Sequence, residues 1–415
     1  MHIVIATMQF GEGYHQGTEK YIQNLTKLLE HNKVKVTILA GDPDNLFPDI
    51  PYNFNIKKSK YSIIKMRTDN WYTVKGAASN TYKSLLQSLA PDIIHLVNPA
   101  HIGLNIIAAA KHLKIKTVLT ITDFWWLCPK STLITQHGNL CKGNKDSNEC
   151  IKCIAATSDS YQHIKKIPLG KTALNIGLRT LLNLKNIKMD WHNRKNIIQQ
   201  TFSNIDHVIF LSQTAKNSLL AEYKIANFSI IPAGLKNYWF ENIPKNINHK
   251  PKSIGFAGAI SPHKGLHILF LALKEITQPL TIKIAGTCAN NSYLQYLNQI
   301  NIPHKVIWLG QLSENDMIKF IDSVDLIVVP SLSPENQPQV ILEAHARNKT
   351  VICSDVPGAA ELVEHSLTYP ALNYKDLKDR LTFQLENPYE NVNIFPPLSI
   401  IDMTRKTLNI YNNIK

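Results

Sequence analysis

With 415 residues, 44% of them hydrophobic and 18% charged, the chain has room for two or three domains with full-sized cores, and this composition excludes an intrinsically disordered protein. A formal charge of +14 points to an anionic partner: nucleic acid, an anionic membrane surface or a phosphorylated substrate. Zinc-finger spacings, RNP-like signatures and basic heptads are all missing, which argues against nucleic acid.

Met1 to Ala6 reads directly as a strand without a basic leader, and no apolar run reaches the ~18 residues that cross a bilayer. A cytoplasmic protein, at most peripheral on the membrane, is expected. The next segment, Gly11-Glu-Gly-Tyr-His-Gln-Gly17-Thr18-Glu19, leads into a helix over Glu19 to Glu30, with Tyr21, Ile22, Leu25, Leu28 and Leu29 at helical spacing. It is not G-x-G-x-x-G, so the dinucleotide fingerprint fails, but its glycines let a loop reach toward a ligand. Asp42-Pro-Asp44 matches the D-x-D of metal-dependent sugar transfer, yet with Pro between the acids it reads as an ordinary turn.

Further strands read at Val34 to Leu39, Ile93 to Val97, Thr117 to Ile121 and His207 to Leu211. Strands alternating with helices predict a parallel sheet covered on both faces. After the fourth strand stands Thr120-Ile-Thr-Asp123-Phe-Trp-Trp126-Leu-Cys128-Pro129. Asp123 beside three aromatics suggests a sugar-binding wall, the alternative being that the Trp residues are core. Cys128, Cys141, Cys150 and Cys153 fall in one short segment and are candidate ligands of a structural zinc ion, with reduced thiols packing a loop as the alternative. From His163 to Asn196 a basic insertion carries Lys165, Lys166, Lys171, Arg179, Lys185, Lys188, Arg194 and Lys195. It could be a solvated helical face or lie on anionic lipid.

The pattern restarts after a Pro- and Asn-rich linker from Phe240 to Lys252. Strands read at Ser253 to Ala257, Thr281 to Ala285, Lys305 to Leu309, Asp325 to Val329 and Thr350 to Cys353. Residues 1–240 therefore form one Rossmann-like domain and 241–397 a second, with a helix over Leu398 to Ile414 that could complete the first. Gly258-Ala-Ile-Ser-Pro-His263-Lys264-Gly265 opens a helix after a strand, a geometry that could cradle phosphate with Lys264 as point charge. Pro334 to Ala346, PENQPQVILEAHA, runs from loop to helix after a buried strand and sets Glu335 and Glu343 eight residues apart. Pro338 suits the first helical turn. Carboxylates accept from sugar hydroxyls while the helix N-terminus offers N–H groups to phosphate, so one segment could hold both halves of a nucleotide-sugar.

Taken together, the Gly17-Thr18-Glu19 loop, TDFWWLCP with its cysteines, HVIFLS (207–212), IIPAG (230–234), GAISPHKG and the Glu335/Glu343 segment resemble family 4 of the nucleotide-sugar glycosyltransferases over nearly the whole chain. The resemblance implies an α/β protein of the GT-B fold, two Rossmann-like domains with a cleft between them, a retaining mechanism and no metal required for catalysis. It implies that Lys264 holds the donor diphosphate, Glu335 the donor sugar and Glu343 the ribose. Gly258, His263 and the backbone of Asn336, Gln337, Pro338 and Gln339 would line the donor, and Gly17 would approach the diphosphate from the other domain. Lys264, Glu335 and Asp123 are the expected catalytic set, with Thr18, Asn98 and Trp125 on the acceptor side.

Many relatives have Arg where this chain has Ala259 and His-Asp where it has Thr122-Asp123. The expected activity is transfer from a UDP- or GDP-sugar to a hydroxyl of a glycan or lipid-linked acceptor, in cell-surface polysaccharide or lipopolysaccharide synthesis. The alternatives are a non-catalytic sugar-nucleotide-binding protein and a nucleotide-sugar epimerase of the same fold.

Overall fold

The structure is a computed structural model, which describes residues 1–11, 17–41, 55–58, 62–66, 74–135, 137–143, 147–156, 185–244, 252–387 and 394–415. The chain divides into two units. The first comprises Met1–Leu211, Ala215–Ile231 and Met403–Lys415, and the second comprises Ser212–Thr214 and Pro232–Asp402.

The first unit is built on an eight-stranded sheet. Its strands are β1 (His2–Thr7), β2 (Lys35–Gly41), β3 (Asn55–Lys58), β4 (Ser62–Met66), β5 (Ile93–Leu96), β6 (Lys116–Ile121), β7 (His207–Phe210) and β8 (Phe228–Ile230), in the order β3-β4-β2-β1-β5-β6-β7-β8. Only the β3–β4 pair is antiparallel. β1 is buried along its whole length, as its run HIVIAT demands of a central parallel strand covered on both faces. Helices α1 (Gly17–His31), α2 (Ser79–Leu89), α3 (Asn105–His112), α4 (Ser147–Ala155), α5 (Lys185–Asn204) and α6 (Gln213–Leu220) follow in sequence. On α1 the buried residues Tyr21, Ile22, Leu25 and Leu29 form the stripe that the helical spacing predicts. The edge strands β3 and β4 escape sequence reading because NIKK and SIIKM are short and half polar.

The second unit carries a wholly parallel six-stranded sheet of β9 (Ser253–Ala257), β10 (Thr281–Ala285), β11 (Lys305–Gly310), β12 (Leu326–Val329), β13 (Thr350–Ser354) and β14 (Thr368–Tyr369). Its order, β11-β10-β9-β12-β13-β14, turns back at β9. Helices α7 (Leu266–Lys274), α8 (Asn291–Gln299), α9 (Glu314–Asp322), α10 (Gln339–Ala346) and α11 (Tyr374–Glu386) supply the crossovers. Gly255 sits mid-strand in β9 because a Cβ there would lie 2.8 Å from Ile327 and 2.9 Å from Phe320.

The crossing into the second unit lies at Pro232, ahead of the linker that the Pro- and Asn-rich composition suggests. Arg347, buried at 2% exposure, explains the shift. It donates to both carboxylate oxygens of Asp322 at 2.8 and 2.7 Å and to the carbonyls of Trp239, Glu241 and Asn242. Residues that look like a linker are thereby fastened to the second core. Leu235 also exchanges backbone bonds with Leu398 and Ile400, both 2.8 Å. The last helix, α12 (Ile400–Ile414), then belongs from Met403 onward to the first unit. There the Tyr411 hydroxyl meets His95 Nδ1 at 2.5 Å, and His95 Nε2 meets Thr120 Oγ1 at 2.8 Å.

Most of the basic insertion, its residues 163–184, lies outside the described residues, as do the D-x-D turn at 42–44 and the loop at 12–16. Arg194 is described and departs from a solvated or lipid-facing role. It is 7% exposed, with its guanidinium 4.2 Å over the Trp125 ring. Among the described residues no helix is long and apolar enough to cross a membrane.

Candidate active site

Parallel sheets bind ligands beyond the carboxyl ends of the strands, where the strand order reverses. In the second unit that point lies between β9 and β12. The chain leaving β9 passes Gly258 at φ 153°, makes one 3-10 turn over Pro262–Lys264, and enters α7 through Gly265 at φ 72°. The chain leaving β12 passes Pro330 and a loop before α10 begins after Pro338. Gly265 joins the two loops: a Cβ there would stand 1.8 Å from the Pro330 carbonyl oxygen, so only glycine permits the contact. Leu332 N then donates to His263 O at 2.8 Å.

This close approach sets Lys264 Nζ 2.6 Å from Glu335 Oε1. Burial alone would push the Glu335 carboxyl up. The Lys264 ammonium, its hydrogen bond, a second from Ser331 and the nearby His263 outweigh that and hold it below the usual carboxylate range. Backbone contacts fix Glu335 from beneath. Its N–H donates to Pro357 O at 2.9 Å, and Gly358 leaves room for its carbonyl, which a Cβ would meet at 1.5 Å. The pair is thus held in position and partly open, with side-chain exposures of 27% for Lys264 and 13% for Glu335.

The other residues expected at the donor lie on the same two loops and on α10. His263 and Gly258 are half-buried on the β9 loop, and Ala259 between them is exposed. Asn336 and Pro338 are buried. Gln337 Oε1 is engaged by Ala233 N at 2.7 Å, so its side chain anchors the IIPAG segment. Pro338 caps α10 and Gln339 opens it, one position later than a proline inside the first turn would have it. Glu343 is buried at 4% exposure on α10, and its charge, after burial and Glu314, helps to push the Tyr238 phenol up. Ser331, 1% exposed and hydrogen-bonded to Glu335, is missing from the sequence reading. Its only signal there is a hydroxyl at the end of an apolar strand, four residues before a glutamate.

In the first unit the order reverses between β1 and β5. Gly17, exposed, and Thr18, half-buried, open α1 after β1. Asn98 follows β5, and its Nδ2 donates to Asp123 Oδ2 at 2.9 Å, while Trp125 N donates to Asp123 Oδ1 at 2.8 Å. Burial pushes the Asp123 carboxyl up, against these bonds and the Arg194 charge. Asn98 and Asp123 are thus brought together as one acceptor–donor pair.

The aromatic wall is not there. Phe124, Trp125 and Trp126 are 2, 0 and 1% exposed. Trp125 is sealed between Arg194 and the Trp126 edge, so its side chain offers no face to an acceptor, and its contribution is the backbone N–H on Asp123. The four clustered cysteines are all free thiols. Among the described residues no three His, Cys, Asp or Glu side chains converge as they stand on a point that would hold a metal ion.

Two family models match the chain: that described as glycosyl transferases group 1 over residues 237–395, and that described as glycosyltransferase family 4 over residues 15–140. An uncharacterised glycosyltransferase of Methanocaldococcus jannaschii is 34% identical over 119 residues, 28% of this chain and 30% of its own. The N,N'-diacetylbacillosaminyl-diphospho-undecaprenol alpha-1,3-N-acetylgalactosaminyltransferase of Campylobacter jejuni is 26% identical over 38% of this chain and 41% of its own. The chain thus spans less than half the length of these two curated relatives. Among solved structures, Anabaena HepE in complex with UDP and glucose aligns over 100% of both chains with a TM-score of 0.66 at 14% identity, a likeness of fold alone. With both sheets wound as in those structures and a family model on each unit, the chain belongs to family 4 of the glycosyltransferases and has the GT-B fold.

Proposed function

We propose that the protein is a retaining transferase that moves a sugar from a UDP- or GDP-sugar to a hydroxyl of a glycan or lipid-linked acceptor, in the assembly of a cell-surface polysaccharide or lipopolysaccharide. The observation that carries this is the Lys264–Glu335 pair, 2.6 Å apart at the reversal between β9 and β12. In the reaction the bond between the anomeric carbon and the diphosphate oxygen breaks while the acceptor oxygen bonds to that carbon on the same face. The acceptor proton leaves with the diphosphate. Charge accumulates on the leaving diphosphate, and an ammonium already in place there lowers the barrier without reorganisation. Lys264 supplies that charge, and the N–H groups opening α10 add to it. Glu335, released from Lys264 when the diphosphate arrives, accepts from hydroxyls of the donor sugar. Glu343 takes the ribose hydroxyls, and Gly258, His263 and the backbone of 336–339 line the donor. On the acceptor side we assign Asp123, held by Asn98, with Gly17 and Thr18 at the mouth of α1. Catalysis in this scheme rests on side-chain and backbone charge and uses no metal.

The acceptor class draws on the Campylobacter relative, whose name specifies a diphospho-undecaprenol acceptor. The net charge of +14 suits such an anionic substrate at the cytoplasmic membrane surface. A panel of nucleotide-sugars in thermal unfolding tests the donor: one present at a hundred times its Kd adds about 2.7 kcal/mol to stability. A panel in which no UDP- or GDP-sugar raises the transition would refute the reading. Binding without hydrolysis or transfer would instead identify a sugar-nucleotide-binding protein, the outcome that Ala259 in place of arginine would favour.

A further inference from the structure

Arg194 has no part in the donor chemistry, and α5 does not leave it at the surface. It is 7% exposed while Asn193, Lys195 and Asn196 beside it are exposed, so the helix turns one cation of the basic insertion inward. Among the described residues its Nη1 has no hydrogen-bond partner and no carboxylate pairs with it. Taking an unpaired guanidinium out of water is costly, and the contacts that offset this converge on one residue, Trp125. Nη2 donates to the Trp125 carbonyl, and the guanidinium carbon lies 4.2 Å from the centre of the Trp125 ring. A planar guanidinium can stack on an aromatic face and donate within its own plane at once, whereas an ammonium offers no such plane.

Trp125 is in turn the residue that aims Asp123. Its N–H donates to Asp123 Oδ1 at 2.8 Å, and Asn98 Nδ2 donates to Oδ2 at 2.9 Å. The Asn98 amide is itself fixed, because its Oδ1 accepts from Ala100 N at 3.0 Å. The next carbonyl along, that of Trp126, accepts from the Tyr223 hydroxyl at 3.1 Å. The Trp126 ring meets Trp125 edge to face, with centroids 5.5 Å apart. With the ring and the carbonyl of Trp125 both gripped from α5, its N–H cannot swing away from Asp123.

We propose that Arg194 is a positioning residue for the acceptor side: through Trp125 it fixes the Asp123 carboxylate in the orientation that receives the acceptor hydroxyl. This rests on the acceptor role proposed for Asp123. The same guanidinium also bears on Asp123 as a charge, opposing the rise that burial imposes on the carboxyl. The other groups that face Arg194 are Cys128 on the turn after β6, Cys150 on α4 and Tyr223 after α6. Burial pushes both thiols up, that of Cys150 to about 11, so they are uncharged where a carboxyl titrates. Asn98, on the turn after β5, is neutral.

Two substitutions in the full chain separate the fork from the charge. Arg194→Lys keeps the cation and gives up the stacked fork, and Arg194→Met gives up both. The readout is release of nucleoside diphosphate from whichever UDP- or GDP-sugar thermal unfolding selects. Misplacing a reacting group should lower kcat about 10- to 100-fold in Arg194→Lys, with donor KM unchanged and the acid limb of the pH profile left in place. In Arg194→Met that limb should also move to higher pH, because the carboxylate has lost the cation that favours its charged form. Infrared difference spectra, with Asp123→Asn to identify the band, need no substrate and should show the same displacement of the Asp123 titration. Wild-type kcat in folded Arg194→Lys would overturn the positioning role, and this variant decides alone if Arg194→Met does not fold. An acid limb that Asp123→Asn removes but Arg194→Met leaves in place would overturn this inference only. If Asp123→Asn removes no limb, the acceptor role of Asp123 falls and takes the inference with it.

Discussion

The two units handle buried polar groups in opposite ways. The second keeps them charged and paired: Lys264 with Glu335, Arg347 with Asp322 and three carbonyls. Among the described residues, the first buries His95 and Asp123 without an ion-pair partner and packs its buried Arg194 guanidinium on the Trp125 ring and carbonyl. Burial pushes Asp123 up and holds His95 down at about 3, and the hydrogen-bond partners of both are neutral groups. A charged pair at a strand's carboxyl end can exchange one partner for an anionic ligand. A neutral network cannot, but it can hold a hydroxyl or tune a proton. In the scheme we propose, this difference suits the second unit to the leaving diphosphate and the first to the attacking hydroxyl.

The sharpest way to break that contrast is to remove its cation. Lys264→Ala should lower turnover about 10²-fold or more. It also leaves Glu335 buried without its counter-charge, so its carboxyl pKa should rise. Near-normal kcat/KM in this variant would refute the assignment of the diphosphate to Lys264.

Asp123→Asn comes next. It sets an amide against the Asn98 amide or the Trp125 N–H, leaving a buried donor unpaired at a cost of about 1–3 kcal/mol. The informative readout is the pH profile. Asp123 has a raised pKa, so a reaction that needs its carboxylate slows as pH falls, and does so at a higher pH than an ordinary aspartate would give. In the variant that acid limb should vanish. If the limb survives with only a loss of thermal stability, Asp123 merely positions the loop.

How much of this was legible beforehand follows the physics of each segment. The buried strands announced themselves through runs such as HIVIAT and LIVV, and the helical stripe on α1 through its spacing. Glu335 and Lys264 were legible because each follows such a strand in a loop that ends in a helix. Trp125 was not, because an aromatic near a candidate carboxylate reads alike whether it faces a ligand or the core. What decides is Arg194, some seventy residues away, whose guanidinium covers it. The unit boundary was hidden for a similar reason: Arg347 fastens 239–242 across a separation that local composition does not register.

The neutral network of the first unit gives the third prediction. Tyr411→Phe removes the hydroxyl that meets His95 Nδ1 and should cost about 1–2 kcal/mol, since a buried ring nitrogen loses its partner. His95 also sets a pH dependence. Its folded pKa lies near 3, below the ~6.5 of an unfolded histidine, so the unfolded chain binds the extra proton first. Its contribution to stability is complete above about pH 6.5 and is lost progressively as pH falls toward 3. Comparing the melting temperature of the wild type and of His95→Gln between those limits should show a shallower slope in the variant. Parallel slopes would mean that His95 is not the neutral element of the network.

The smallest effect separates fixing a charge from supplying one. Ser331→Ala removes a hydroxyl that donates to the same Glu335 oxygen that Lys264 holds. The loss of one bond to a charged group within a pair that survives should cost about 1 kcal/mol, or several-fold in rate. It should fall mainly on KM for the donor if Glu335 binds sugar hydroxyls equally in ground and transition states, and on kcat if the carboxylate must be aligned only as the diphosphate departs. The split therefore measures whether Glu335 serves binding or the chemical step. An effect as large as that of Lys264→Ala would mean that the hydroxyl, rather than the ammonium, orders this site.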